Sequence, residues 1–564
     1  RGVGHHPGTD GGVYPDGLLE WLSGCDLPAI CAGNGGLDSV LGVSGAVADA
    51  SAMRHPSQTY QADSASDSDI PQATTTQQPV TQNQSETITL KNDVLELNID
   101  THGGDVVLAR LLKFNEKLNQ TDNKIELLNR TQNRTFVAKS GLIGDNAPDS
   151  AKGRAQFNVI ENSTTDKGSR LVLRWINNDG VEFYKVFELA NNQYDLKVSY
   201  RINNKSSDEL NLRMFNQLNR DRYVSSEGGS GFGIQAYTGA AYSTEETRYE
   251  KYDFEDMDEA NLNLKTKAGW VAFLQHYFVT AWIPNQQGIN EITTQVLKNK
   301  NVSIIRVMQQ WVSVGPQATK EISSTLYMGP KDQEQLEQLA EGLDLTVDYG
   351  IFWWIGQPLF WILTFFQSIV VNWGVAIILV TVAVKLLLYP LANAQYRSFA
   401  KMRLLQPKLQ QLKERYGDDR QKMSMAMMEM YKKEKVNPMG GCLPLLVQMP
   451  VFFALYWVLL ESYEIRHAPL ALWIQDLSAA DPYYILPILM GVSMWAMQKL
   501  QPTAATMDPM QQKIMQFLPV MMTVFFIFFP AGLVLYWLVN NLLSIAQQLY
   551  ITKKIEREYA AKKA

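Results

Sequence analysis

Between Lys513 and Lys553 the chain runs for 39 residues without a charged side chain, broken by Pro530-Ala531-Gly532. A bilayer core of about 30 Å demands roughly 20 apolar residues per helical crossing. The run therefore reads as two helices in lipid joined by a tight turn, Ile514 to Phe529 and Leu533 to Tyr550. Three further apolar stretches, Trp373 to Leu391, Cys442 to Leu460 and Tyr484 to Met497, bring the expected crossings to five. The mean hydropathy of −0.17 over 564 residues hides this. Almost every charge lies before Asp348, in 391–440 or after Thr552, so a soluble half is joined to a membrane half.

Residues 351–371 are as apolar as the crossing after them, with only Asn372 between. An antiparallel pair is not expected to reverse in so short a link. Trp353, Trp354 and Trp361, with Gln357 and Pro358, suit a helix lying in the interface, so 346–372 is predicted as an interfacial amphipathic helix. Residues 373–552 then form a five-helix core containing a cytoplasmic hairpin at 392–438. Orientation follows from basic residues in the loops. Segment 391–440 holds 11 Lys/Arg against five Asp/Glu, and the tail after Thr552, a basic cytoplasmic end at 553–564, holds five against two. The loop 461–483 has four acidic residues against Arg466 alone. The basic segments are expected in the cytoplasm and the soluble half outside.

That soluble half changes character twice. Residues 1–53 are glycine-rich, without helical or strand period, and read as an atypical leader with no anchor helix. Leu22-Ser23-Gly24-Cys25 looks like a lipoprotein cleavage box but lacks the basic and apolar regions of a signal peptide. Residues 54–85 are too rich in Ser, Thr, Gln and Asp to bury a core and are predicted to be a disordered linker. From Glu86 the pattern turns to period two: Leu95, Leu97 and Ile99 alternate with Glu96 and Asn98, and Val181–Leu189, Asp195–Arg201 and Ser303–Val307 behave alike. Such runs between Asn, Gly and Asp turns are half-buried antiparallel strands. An all-β sandwich over 86–345 is expected, with Gly269–Pro284 as buried strand and Asp332–Glu341 as a short helix ended by Gly342.

Composition narrows the chemistry. The net charge of −6 argues against a general nucleic-acid binder, and no nucleic-acid partner is expected. Three cysteines, none in CxxC spacing, and six histidines give no zinc site and few acid/base candidates. Lys385 is the only ionisable side chain in the five expected crossings, where a charge costs at least ~2.5 to 3.5 kcal/mol. From its position alone it either snorkels towards the cytoplasmic end or serves function. Thr381, one turn away, and Gln448, Asn540 and Asn541 on other helices could share its space around a wet cavity, or bond helices together. The crossings hold no His, Asp or Glu, which removes the parts of an intramembrane protease or proton-coupled carrier, and a binding device rather than an enzyme is expected. In the hairpin, Arg397, Lys401, Arg403, Lys408, Lys413 and Arg415 form a docking surface or a solvated face. Met423, Met425, Met427, Met428 and Met430 read as hairpin core.

Five segments carry a resemblance: MYKKEKVNPMGGCLPLLVQMPVFFALY (430–456), YPLANAQYRSFAKMRLLQPKLQ (389–410), DPYYILPILMG (481–491), DPMQQKIMQFLPV (508–520) and GLVLYWLVNNLLSIAQQ (532–548). They resemble the YidC family of bacterial membrane-protein insertases. LDLTVDYG (343–350) and AAYSTEETRYEKYDF (240–254) are similar to the periplasmic domain of its Gram-negative members. The resemblance implies a multi-pass inner-membrane protein with a large periplasmic domain. It also implies a polar groove open to lipid and cytoplasm, and insertion of nascent membrane proteins without cofactor, alone or with the Sec translocon, the targeting machinery and the ribosome. It places Lys385 on the groove arginine, Thr381 on a substrate-contacting threonine, and Tyr536 and Trp537 on an aromatic pair of the last helix. The rival readings are an anion channel or carrier, and a glycan-binding outer domain.

Overall fold

The computed structural model describes residues 69–71, 86–150, 153–223, 236–417, 419–433, 443–500 and 509–563. From Thr87 to Pro330 two antiparallel sheets face each other. A ten-stranded sheet runs from Thr87–Lys91 through Thr135–Gly144, Leu210–Asp221 and Val302–Met308 to Asn263–Lys267. A nine-stranded sheet runs from Glu250–Tyr252 through Phe278–Ile283, Thr319–Pro330 and Asp195–Asn203 to Asn158–Thr165. Alternation buries Leu95, Leu97 and Ile99 while Glu96 and Asn98 stay partly in water, and Trp270, Trp282, Phe183 and Phe187 fill the space between the sheets.

Two local expectations change. Gly269–Pro284 is not one strand but a hairpin, Trp270–Leu274 and Phe278–Ile283, because the polar Gln275 and His276 supply the turn. Ser303–Val307, expected half-buried, lies in the strand Val302–Met308, which is buried at every residue. Part of that cover comes from Asp69-Ile70-Pro71: Ile70 packs with Ile143, Phe215 and Met308, so the disordered-linker reading fails for these three residues. The remainder of 54–85, and all of 1–53, lie outside the described residues. Asp332 caps the short helix Gln333–Leu339 through the Gln335 amide, and Gly342 follows with φ +77°.

The helical part comprises α1 (Trp353–Val370), α2 (Trp373–Leu387), α3 (Tyr389–Tyr416), α4 (Arg420–Lys433), α5 (Leu443–Glu461), α6 (Ile485–Leu500), α7 (Pro509–Phe526) and α8 (Ala531–Lys563). Leu359 and Leu363 of α1 pack into one core with Ala376, Ile377 and Val380 of α2, Ala454 and Val458 of α5 and Val534 and Leu538 of α8. Val371 adopts φ +60°, and Asn372 caps α2 by accepting from the Val375 amide at 3.0 Å. α1 and α2 share that core across this link. α1 stands out by its outer face, where Trp353, Trp354, Trp361, Phe365 and Ile369 are exposed.

The stretch 373–391 is not one straight helix. α2 and α3 meet at a 68° bend, where Pro390 removes an amide donor and crowds the carbonyl four residues back. Among the described residues, no single helix is both long and apolar enough to cross a bilayer, and this bent pair is the one combination that meets the measure, by length and composition alone. The helices nonetheless expose a continuous oily face: Ile488, Leu489, Val492 and Trp495 on α6, and Ile514, Phe517, Val520, Met521 and Val524 on α7. Exposed apolar area on that scale marks contact with lipid or protein.

The two parts are locked where the loop after α5 meets the sandwich. Lys331 and Glu461 pair at 3.0 Å with side chains only 1% and 2% exposed. A His276 ring nitrogen lies 2.8 Å from the Leu460 carbonyl. Tyr463 donates to Asp332 at 3.0 Å, and Arg466 donates to the carbonyls of Asn115 and Glu116. Away from this lock, Tyr396 and Ala400 of α3 pack on Ile551 and Ile555 of α8.

Candidate functional site

Polar side chains within the helical part converge on α8. Lys385, in the last turn of α2 before the bend, is 7% exposed and donates to the Ser544 hydroxyl at 2.8 Å. Ser544 donates in turn to the Asn540 carbonyl at 2.7 Å, and the Asn540 side chain accepts from Gln448 of α5 at 2.9 Å. One chain of donors and acceptors thus joins α2, α8 and α5 and brings Lys385, Gln448 and Asn540 together. Among the described residues, no carboxylate pairs with Lys385. A buried amine held by a hydroxyl alone keeps an unsatisfied appetite for an anion.

The other expected residues divide. Thr381 is buried and turns its hydroxyl back to the Ile377 carbonyl at 2.7 Å, within its own helix turn. Asn541 is buried and donates to Ser493 of α6 at 3.0 Å. Tyr536 is buried and stacks on Phe452 at 6.0 Å, and Trp537 meets the same ring edge-on at 4.4 Å. The aromatic pair therefore forms a wall beside the polar chain. Ser544, Ser493 and Gln548, which donates to the Leu500 carbonyl, went unnoticed in the sequence. The available signal was spacing: 537, 541, 544 and 548 fall on one helical face, and 540 and 544 are one turn apart.

In the hairpin, Arg397, Lys401, Arg403, Lys408 and Arg415 are all exposed along α3, while the Lys413 side chain lies outside the described residues. α3 and α4 meet at Gly417, with Asp419 closing the start of α4 through the Lys422 amide. The methionines do not form a hairpin core as expected. Met427 is buried, but Met425 and Met428 are half exposed. Among the described residues, no group of three or more His, Cys, Asp or Glu side chains could hold a metal ion.

Comparison with known proteins agrees with this architecture. The family models described as 60Kd inner membrane protein and YidC periplasmic domain match residues 365–558 and 87–362. The membrane protein insertase YidC of Haemophilus influenzae (strain PittEE) is 52% identical over 474 residues, covering 84% of this chain and 87% of that one. The protein of the same name from Actinobacillus pleuropneumoniae serotype 3 (strain JL03) is 49% identical over 495 residues, 87% and 90% of the two chains. A solved active YidC insertase with its first transmembrane domain resolved aligns over 83% of this chain and 93% of its own, at 19% identity and a TM-score of 0.37.

Proposed function

The chain belongs to the YidC family of membrane protein insertases, and from that premise we propose that it inserts nascent helices into the bacterial inner membrane and helps them fold, alone or beside the Sec translocon. The observation that carries the reading is the Lys385 amine, buried against Ser544 with no carboxylate partner among the described residues. A polar, often acidic segment flanking a client helix loses hydration on entering the bilayer. An unpaired cation lowers that cost, since attraction between charges strengthens where water is scarce. Gln448 and Asn540 offer further hydrogen bonds beside it, and the exposed apolar faces of α6 and α7 give the client helix a surface to leave along.

Sidedness completes the proposal. The sandwich and the acidic loop 461–483 share one end of the molecule, and the hairpin and the α8 tail share another. With basic segments kept in the cytoplasm, the sandwich lies in the periplasm and the exposed Arg397, Lys401, Arg403 and Arg415 face arriving ribosomes and targeting factors. α1, with its outer tryptophans, lies at the periplasmic interface.

The test is rescue of cells depleted of their own insertase, scored by insertion of a client with an acidic flank. Lys385→Arg is expected to rescue and Lys385→Ala to fail, while a client with a neutral flank passes through both. Full rescue by the alanine variant rejects the charge-based mechanism, and anion flux without insertion in reconstituted vesicles rejects the insertase reading.

A further inference from the structure

The face of the ten-stranded sheet that turns away from the other sheet is built like a binding site. Lys139, Gln217 and Arg306 lie directly opposite one another on three neighbouring strands, and Phe215 and Met308 form the next row on that face. By alternation this face should meet water, yet Gln217, Phe215 and Arg306 are buried. Asp69 and Ile70 lie on it. The Asp69 carboxylate accepts from Lys139 at 2.8 Å and Asn219 at 2.9 Å. The Asp69 carbonyl accepts from Gln217 at 3.0 Å and Arg306 at 2.8 Å. Ile70 fills the apolar row between Ile143, Phe215 and Met308. Pro71 is buried too and favours extended backbone in the residue before it.

Buried charges lie behind this face. Lys139 also lies 3.7 Å from Asp105; Arg154 binds Asp105 and Asp149; and Lys185 donates to the carbonyls of Gly103, Gly104 and Ser140. Lys139, Arg154 and Arg306 are thus three cations against two resident carboxylates, and among the described residues Arg306 makes no ion pair of its own. Asp69 supplies the third. Burial pushes its carboxyl up, but Lys139 and the bonds around it outweigh this and hold it below its ordinary value. Asp69-Ile70-Pro71 belongs to no strand, and the Asp69 carboxylate and carbonyl are bound by side chains of three strands, as a ligand's would be.

We propose that this face is a recognition site for a short acidic–aliphatic extended segment, that Asp69-Ile70 of the chain itself is its resident occupant, and that the segment is thereby a releasable strap across the sandwich. Tethering gives the resident a high effective concentration, so a free peptide competes poorly until the resident is removed.

The test uses the full chain in detergent and a fluorescent peptide of residues 64–75 (SASDSDIPQATT). A chain carrying D69N and I70S is expected to bind this peptide at least about tenfold more tightly than wild type, a tenfold change being ~1.4 kcal/mol. The same chain is expected to bind a peptide carrying either substitution at least about tenfold more weakly, and adding Lys139→Met should abolish binding of the original peptide. Equal affinity of the substituted chain and wild type, or indifference of the substituted chain to the peptide substitutions, overturns the proposal. So does absence of binding to the substituted chain.

Discussion

At the scale of single residues, His276 shows how the lock between the two parts responds to acid. Burial first, then the charges of Lys331 and Arg466, pull its ring from 6.5 down to about 4, against the support of the Leu460 carbonyl. The folded state prefers the neutral ring, so stabilisation present above pH 6.5 is lost as pH falls from there towards 4. The loss is on the order of 2 to 3 kcal/mol. A His276→Gln chain should lose that slope in denaturant titrations across this range, and an unchanged slope would assign it elsewhere. Glu464 runs the other way: burial raises it to about 7, so its contribution is present below pH 4.5 and is lost as pH rises through 7. Glu464→Gln should therefore gain stability at neutral pH relative to wild type. A third test concerns Ser544, whose replacement by alanine removes the acceptor of a buried amine. About 1 to 3 kcal/mol of stability should go with it, seen as a lower melting temperature in detergent. Lys385, Gln448 and Asn540 were legible because a lone polar group in an apolar run is conspicuous. Ser544 and Ser493 were not, since serine is small and common in such helices, and Asp69 was hidden among other polar residues.

Elements meet at places that sequence pattern foreshadows unevenly. The strands read well because alternation and turn residues coincide, and Gly269–Pro284 misread only because both arms of that hairpin are buried on both faces. Helix ends were harder: Pro390 lies inside the expected crossing 373–391, where the chain bends by 68°. Contact between α6 and α7 turns on Gly491, where an added Cβ would come within 1.8 Å of the Thr523 hydroxyl, itself tied to the Pro519 carbonyl. Gly491→Ala should cost about 1 to 3 kcal/mol through overpacking. Adding Thr523→Ala should recover part of it, as expected for neighbours that share one space. Additive losses in thermal unfolding would show that the two helices do not touch there.

Across the whole molecule, the Lys331–Glu461 pair joins residues 130 apart in the chain, a partnership no local pattern announces. With both side chains out of water, removing one partner strands the other, so Lys331→Met or Glu461→Gln should each cost about 3 to 5 kcal/mol. Joint replacement by Met and Leu should cost far less, because both desolvation penalties vanish together. Protease release of an intact sandwich fragment from either single variant, and not from the double, is the expected readout. A different consequence follows from α8. Its 33 residues form one uninterrupted helix of about 50 Å at 1.5 Å per residue, longer than the ~30 Å oily layer. Tyr396 and Ala400 grip it near its far end, and Ser544 touches the Lys385 amine partway along. A load applied to α3 at that grip is therefore carried along one unbroken rod to the hydroxyl that holds the Lys385 amine.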